Sequence, residues 1–167
     1  PRQSKAPFVQ AFSFDDPEAD VSRLLFVIKR LLDQLLVKIT AHHQKLAELM
    51  LWLQLDHSDQ QIERIRPAIP TVDGVQVMKL IRLRLESLLL ESGVTDLRLT
   101  AHVTRTENLQ QKLFVERPRR DFMAANRALA CVRAEFGDAV VVYASLTDAH
   151  LPEAQFAWKS LSVLCQP

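Results

Sequence analysis

The chain has 167 residues, of which 48% are apolar and 25% charged, a balance that excludes an intrinsically disordered protein. Lys and Arg together number 21 and Asp and Glu 20, so the net charge of +1 excludes a nucleic-acid binder held by overall charge alone. The length suffices for one domain with an appendage, or for two small domains. The two cysteines, Cys131 and Cys165, match no metal or redox spacing, which favours a reducing cytoplasm.

The N-terminal residues PRQSKAPF have neither an initiator Met nor the layout of a signal peptide, so we expect a piece cut from a longer protein. Residues 8–14 are β-prone, and a helix should follow, capped by Asp16 with Pro17 in its first turn. Apolar residues recur there at intervals of three and four: Val21, Leu24, Leu25, Ile28, Leu31, Leu32, Leu35 and Ile39. Charged residues between them, such as Lys29 and Asp33, exclude a membrane span.

Residues 46–69 predict a β-hairpin whose turn is DHSD and whose second strand is QQIERIRPAI. In its first strand the residues alternate between two sides, with Leu49, Leu51, Leu53 and Leu55 opposite Met50, Trp52 and Gln54. The polar TVDG introduces a second helix, which Gly93 is expected to end. Its apolar stripe is Met78, Ile81, Leu85 and Leu88.

The segment VTDLRLTAHVTR has the clearest strand pattern in the chain. Leu97, Leu99, Ala101 and Val103 should point inward, and Arg98, Thr100, His102 and Thr104 outward. The order β-α-β-β-α-β over residues 8–105 therefore predicts an α+β fold, with a four-stranded sheet, both helices on one face and the other face open. An open face bearing Arg98, Thr100 and His102 is a candidate binding surface, although a solvated sheet face explains the same alternation.

The pattern changes after Arg105, and we place the domain boundaries at 1–105, a linker at 106–120 and a small α/β tail at 121–167. Pro118 blocks strand pairing in the linker. Asp121 can cap a third helix that ends at Gly137. The apolar stripe of this helix is Phe122, Ala125, Leu129, Val132 and Phe136. DAVVVYASL is a strand candidate, and the tail is too short to predict as an independent domain.

Catalytic and metal-binding motifs find little support in the sequence, which contains no G-x-S-x-G, P-loop or H-E-x-x-H string. The adjacent His42 and His43 diverge on a helix and cannot readily share a metal. His57 lies beside Asp56 and Asp59, where a solvated turn competes with a metal or acid–base cluster. We therefore expect no enzyme activity, no cofactor and no metal in this chain.

The linker contains the string Gln110, Gln111, Lys112, Leu113 and Phe114, with the form Q-x-x-L-F. Leu113 and Phe114 supply adjacent apolar anchors, and the Gln110 amide can both donate and accept hydrogen bonds. Such a segment can extend into the groove of a partner. The alternative is an edge strand that lies back on the sheet, but the position directly after a completed sheet favours docking.

The order ending in GVTDLRLTAHVTRTENLQQKLF resembles the little finger domain of Y-family DNA polymerases, where a clamp-binding peptide follows the last strand. The tail ANRALACVRAEFGDAVVVYASLTDAHLPEAQFAW is similar to the C-terminal region of the ImuB family, the Y-family homologues of the bacterial SOS mutasome. This resemblance implies a non-catalytic hub of translesion synthesis in the bacterial cytoplasm, at the nucleoid. Its implied partners are the β sliding clamp, DNA, the RecA-like accessory protein ImuA and a C-family error-prone polymerase.

The same resemblance assigns roles to residues of this chain. Clamp contact falls on Gln110, Leu113 and Phe114, within the pentapeptide 110–114. Weak, sequence-independent DNA contact falls on Arg98, Thr100, His102 and Arg105, with Arg64 and Arg66 from the neighbouring strand. Glu63 and Asp96 are expected to dilute the positive charge of that face. Partner binding by the tail falls on Phe122, Leu129, Val132, Phe136, Tyr143, Phe156 and Trp158, for which packing within the chain is the alternative.

Two further interpretations stay open on the sequence alone. The second interpretation, after the scaffold, is the C-terminal part of an active Y-family polymerase, whose acidic metal ligands would lie upstream of Pro1. An unrelated ferredoxin-like or RNA-binding domain with a fortuitous Q-x-x-L-F is a third interpretation. Against it, the chain has no aromatic-rich strand of the RNA-binding type, and Trp52 alone could stack a base.

Overall fold

The computed structural model describes residues 8–56, 59–105, 121–146 and 156–161 of the chain. The elements in chain order are β1 (Phe8–Glu18), α1 (Val21–Ala41), β2 (Gln44–Leu55), β3 (Gln60–Ile65), α2 (Gly74–Ser87), β4 (Val94–Arg105), α3 (Phe122–Phe136), β5 (Val142–Leu146) and β6 (Phe156–Ser160). The predicted order β-α-β-β-α-β and the α+β class are thus confirmed. No helix among the described residues is long and apolar enough to cross a membrane.

The first four strands form one antiparallel sheet in the order β1-β4-β2-β3. Helix α1 carries the chain from β1 over β4 to β2, and α2 carries it from β3 over β2 to β4. Leu24, Ile28, Leu32, Leu35 and Ile39 of α1 and Val77, Ile81 and Leu85 of α2 are fully or almost fully buried. They pack on the inward leucines of the sheet, Leu49, Leu51, Leu53, Leu97 and Leu99. The core therefore lies between the sheet and the helices, as the alternation and the helical stripes predict.

The start of helix α1 differs from the prediction. β1 continues through Asp16 and Pro17 to Glu18, which pairs with Val94 across an irregular register. The helix begins at Val21, and the Asp20 carboxylate caps it by accepting a hydrogen bond from the Ser22 amide at 2.8 Å. The predicted Asp16 cap is wrong because pairing with β4 extends the edge strand beyond the proline, which an edge position tolerates.

Helix α2 begins as TVDG predicts and ends earlier than Gly93. The Asp73 carboxylate accepts from the Val75 and Gln76 amides at 3.0 and 3.2 Å, and the helix stops at Ser87. Gly93 instead allows two backbone segments to approach closely, since it lies against the backbone of Pro17. A Cβ at this position would lie 2.6 Å from Pro17 Cβ and 2.9 Å from its carbonyl carbon.

Replacement of Gly93 by Ala is expected to destabilise the fold by about 1–3 kcal/mol, because backbone at Pro17 must move to admit the methyl group. Gly74→Ala is the matched control, since its Cβ would meet a flexible methyl, Cδ1 of Leu36, at 3.2 Å. Urea unfolding of both variants measures the difference. Equal stability of the two variants would show that the contact at Gly93 relaxes without cost.

The tail contains helix α3 and a two-stranded antiparallel hairpin, β5–β6. As predicted, Asp121 caps α3, accepting from the Ala124 amide at 2.9 Å, and the helix ends at Gly137, whose φ of 95° suits glycine. Helix α3 packs against α2. Among the side chains of α3 that the structure describes, residues 123–136, the buried ones are small or polar: Asn126, Ala130 and Ala134.

Candidate nucleic-acid interface

The sheet face opposite the helices is built from rows of residues that the strand register sets side by side. In one row Arg98 of β4 lies between Trp52 of β2 and Ala11 of β1. In the next, Thr100 lies between Met50 and Val9. The neighbouring residues Leu97, Leu99 and Ala101 point into the core, so these rows point away from it. The structure thus brings Arg98, Thr100 and His102 to one face, which no described element covers.

Arg64 and Arg66 join this face from the edge strand. Arg64 lies opposite Met50, and Arg66 follows the last residue of β3. Both guanidinium groups contact the same carboxylate, with Nε to Glu48 oxygen distances of 3.9 Å for Arg64 and 2.9 Å for Arg66. Arg66 also lies 3.6 Å from the Asp138 carboxylate, just beyond α3. The two arginines are therefore held by acids of this chain.

Arg105 does not lie on this face. It pairs with Gln44, whose side chain is buried, and it shares the strand phase of Ala101 and Val103. Alternation along β4 therefore sets Arg105 on the helix side of the sheet. Of the six residues assigned to DNA contact, five share the open face and Arg105 is separated from them.

Glu63 of β3, which was predicted to dilute the positive charge of the open face, does not lie on that face. Glu63 lies on the helix side, is 6% exposed, and makes an ion pair with Arg84 of α2. Glu48 of β2, which lies opposite His102, supplies negative charge to the open face instead. Ile62 and Ile65 are both apolar and leave the phase of β3 ambiguous in sequence. Glu48 lies two residues before Met50, so the alternation along β2 places it on the same face.

Asp96 lies on the open face, as predicted. Its carboxylate accepts hydrogen bonds from the hydroxyl groups of Ser13 at 2.6 Å and Thr95 at 3.0 Å. These bonds, and the positive charge of Arg98, lower the pKa of Asp96 below its usual value. The carboxylate therefore stays ionised at neutral pH. The open face carries Arg64, Arg66, Arg98, His102 and Lys45, which lies opposite Thr104, against Glu48 and Asp96.

The other predicted sites are only partly within the described residues. The pentapeptide 110–114 and His57 lie outside them, as do the side chains of Phe122 and Phe156. In the tail, Leu129 and Val132 are half-buried, and Phe136, Tyr143 and Trp158 are exposed. Among the described residues, no group of three His, Cys, Asp or Glu side chains could hold a metal ion.

Three solved structures contain chains with a similar backbone. A complex of the β-clamp processivity factor and the little finger domain of PolIV matches at 17% identity and a TM-score of 0.47, over 65% of this chain and 96% of that chain. A Dbh ternary complex matches at 10% identity and a TM-score of 0.45, over 59% of this chain and 29% of that chain. A post-insertion binary complex of Dbh DNA polymerase matches at 12% identity and a TM-score of 0.48, over 57% of this chain and 28% of that chain. This chain spans less than a third of the two Dbh chains. No family model and no curated protein match it.

Proposed function

We propose that this chain is a non-catalytic scaffold of translesion DNA synthesis that docks on the bacterial sliding clamp and contacts DNA weakly. Residues 1–105 act as the DNA-contacting domain, 106–120 as the clamp-binding linker and 121–167 as the partner-binding tail. The observation that carries the proposal is the place of the Q-x-x-L-F string. It follows directly after β4, the strand that supplies Arg98 to the uncovered sheet face.

Charge on the open face supports a weak and sequence-independent contact with the DNA backbone. Arg98, Arg64 and Arg66 are exposed, but the latter two are paired with Glu48. The Glu48 carboxylate therefore competes with a phosphate for both guanidinium groups. So few phosphate contacts make the affinity low and steeply dependent on salt. Tethering by the clamp peptide then raises the effective concentration of this face near DNA.

The exposed aromatic groups of the tail support a protein-binding role. Phe136, Tyr143 and Trp158 are 62%, 45% and 65% exposed, while α3 packs on α2 through its alanines. Exposed aromatic side chains are common anchors of protein interfaces. We assign this surface to the RecA-like accessory protein ImuA and a C-family error-prone polymerase, the partners that the resemblance to ImuB implies.

A titration of this chain against the bacterial sliding clamp tests the docking step directly. We expect saturable binding with a Kd of about 1 μM, as suits a short peptide that loses conformational entropy on binding. Isothermal calorimetry gives both the affinity and the stoichiometry. The absence of saturable binding would overturn the docking half of the proposal.

Replacement of Glu48 by Gln is expected to strengthen binding to duplex DNA by about two- to fivefold at low salt, because it removes the carboxylate that contacts Arg64 and one of the two that contact Arg66. Fluorescence anisotropy of a labelled duplex measures the change. Asp33→Asn is the matched control, since Asp33 also holds a cation, Lys29 at 2.7 Å, but lies on α1 behind the sheet. An equal gain in both variants would mean that net charge, not this face, governs the contact.

A further inference from the structure

A depression lies on the open face of the sheet beside Trp52. It encloses about 340 Å³ and reaches from β1 to the start of β3. The register explains it: Ala11 and Ser13, the β1 residues beside Arg98 and Asp96, have small side chains, while Trp52 rises from β2. The result is a cleft with an aromatic wall.

The polar groups around this cleft have a definite arrangement. Arg98 lies beside Trp52, and Asp96 lies one row further along the same strand, beside Gln54. Gln60 is opposite Gln54 on β3. One cation therefore lies in the same row as the aromatic wall, and a carboxylate with two amides lies in the adjoining row.

The indole of Trp52 is half-buried, and its Nε1 is shielded from solvent with no hydrogen-bond partner in the part of the chain that the structure describes. A buried indole N–H normally finds an acceptor, because leaving it unpaired has a free-energy cost. The core does not require Trp52, since the inward positions of β2 are filled by leucines. A large aromatic side chain on the solvent side of a sheet is instead a surface on which a planar ring can stack.

We propose that this cleft binds an unpaired nucleobase, stacked on Trp52, with the adjoining phosphate on the Arg98 guanidinium. This inference rests on the proposed DNA contact of the open face and names the substrate class of that face. In a duplex the base planes are hidden between their neighbours, so a base reaches Trp52 only from a single-stranded or unpaired position.

The same groups predict which bases bind. The Asp96 carboxylate and the amide oxygens of Gln54 and Gln60 are acceptors suited to the exocyclic amino groups of adenine, cytosine and guanine. Asp96 already accepts two hydrogen bonds, and an ionised carboxylate has about four lone-pair positions. Thymine offers no amino group and binds less well.

The sequence makes a direct test possible, because the chain has two tryptophans, Trp52 and Trp158. In a Trp158→Phe background the fluorescence reports Trp52 alone. The probes are labelled duplexes that are blunt or carry a single-stranded overhang of cytosines, of thymines or of abasic sites. Anisotropy measures total binding, and Trp52 emission measures stacking.

We expect the cytosine overhang to quench Trp52 and to bind about tenfold more tightly than the abasic overhang, with thymine between them. Trp52→Leu removes the difference in affinity between the cytosine and abasic overhangs without changing binding of the abasic overhang. Trp52→Phe, which keeps a stacking ring, restores part of it. Circular dichroism and thermal melting confirm that each variant keeps the fold.

Equal binding of cytosine and abasic overhangs, with unchanged Trp52 emission, would overturn the nucleobase site and leave the backbone contact standing. Equal binding of cytosine and thymine overhangs would overturn the choice of base. If no DNA changes the anisotropy at low salt, the proposed DNA contact of the open face fails together with this inference.

Discussion

Replacement of both Leu113 and Phe114 by Ala is expected to weaken clamp binding by at least about a hundredfold. Each side chain contributes roughly 1.5–3 kcal/mol when fully buried in a partner, and about 1.4 kcal/mol corresponds to a tenfold change in affinity. Because the string lies after the last strand of the sheet, removal of these side chains should leave the fold intact. Calorimetric titration of the variant against the sliding clamp measures the loss.

Lys112→Ala is the matched control for this experiment, since it lies within the same string at a position that Q-x-x-L-F leaves unspecified. It should bind as the parent does. Circular dichroism separates the two explanations of a loss. A double variant that unfolds would show that Leu113 and Phe114 belong to the core of this chain, and one that stays folded and binds the clamp as well as the parent would overturn their assignment as clamp anchors.

Loss of the Arg84 guanidinium, in Arg84→Met, is expected to lower the free energy of unfolding by about 3 kcal/mol. The Glu63 side chain is 8% exposed and that of Arg84 24%, so the ion pair between them is largely removed from water. Without Arg84, the Glu63 carboxylate stays buried without its cation, and an uncompensated buried charge is strongly unfavourable. The pair also ties the edge strand β3 to helix α2.

Urea unfolding of three variants isolates this effect. Arg82→Met is the matched control, because Arg82 is an exposed arginine on the same helix. It should change stability by about 0.5 kcal/mol or less. The double variant Glu63→Leu/Arg84→Met should recover most of the stability, since apolar groups of similar size replace a buried pair at little cost. If Arg84→Met is as stable as Arg82→Met, the ion pair contributes nothing.

The sheet and its helices could be predicted because their patterns are repeated many times. The alternation in β4 and the stripe in α1 each extend over ten or more residues, so local irregularities do not obscure them. The outward direction of Arg98 and His102 follows from that alternation. The same alternation places Arg105 on the helix side, and its assignment to the open face came from the resemblance to the little finger domain alone.

The features that the sequence did not predict come from tertiary contacts that a single sequence does not encode locally. Pairing with Val94 extends β1 past Pro17 and delays the start of α1. An ion pair with Arg84 turns Glu63 inward, although a glutamate in a hairpin is usually solvated. Helix α3 packs through Ala130 and Ala134, where close approach of α2 favours small side chains, so its bulkier stripe is only partly covered.

Arg66 joins the open face of the sheet to the tail, because its guanidinium contacts both Glu48 on β2 and Asp138 beyond α3. A coupling free energy between two sites acts equally in both directions. A phosphate that takes this guanidinium from Asp138 weakens the attachment of the tail. Release of the tail strengthens the binding of the phosphate by the same factor. On the proposed DNA contact, a protein that displaces Asp138 would therefore raise the affinity of the sheet for DNA without touching the DNA itself.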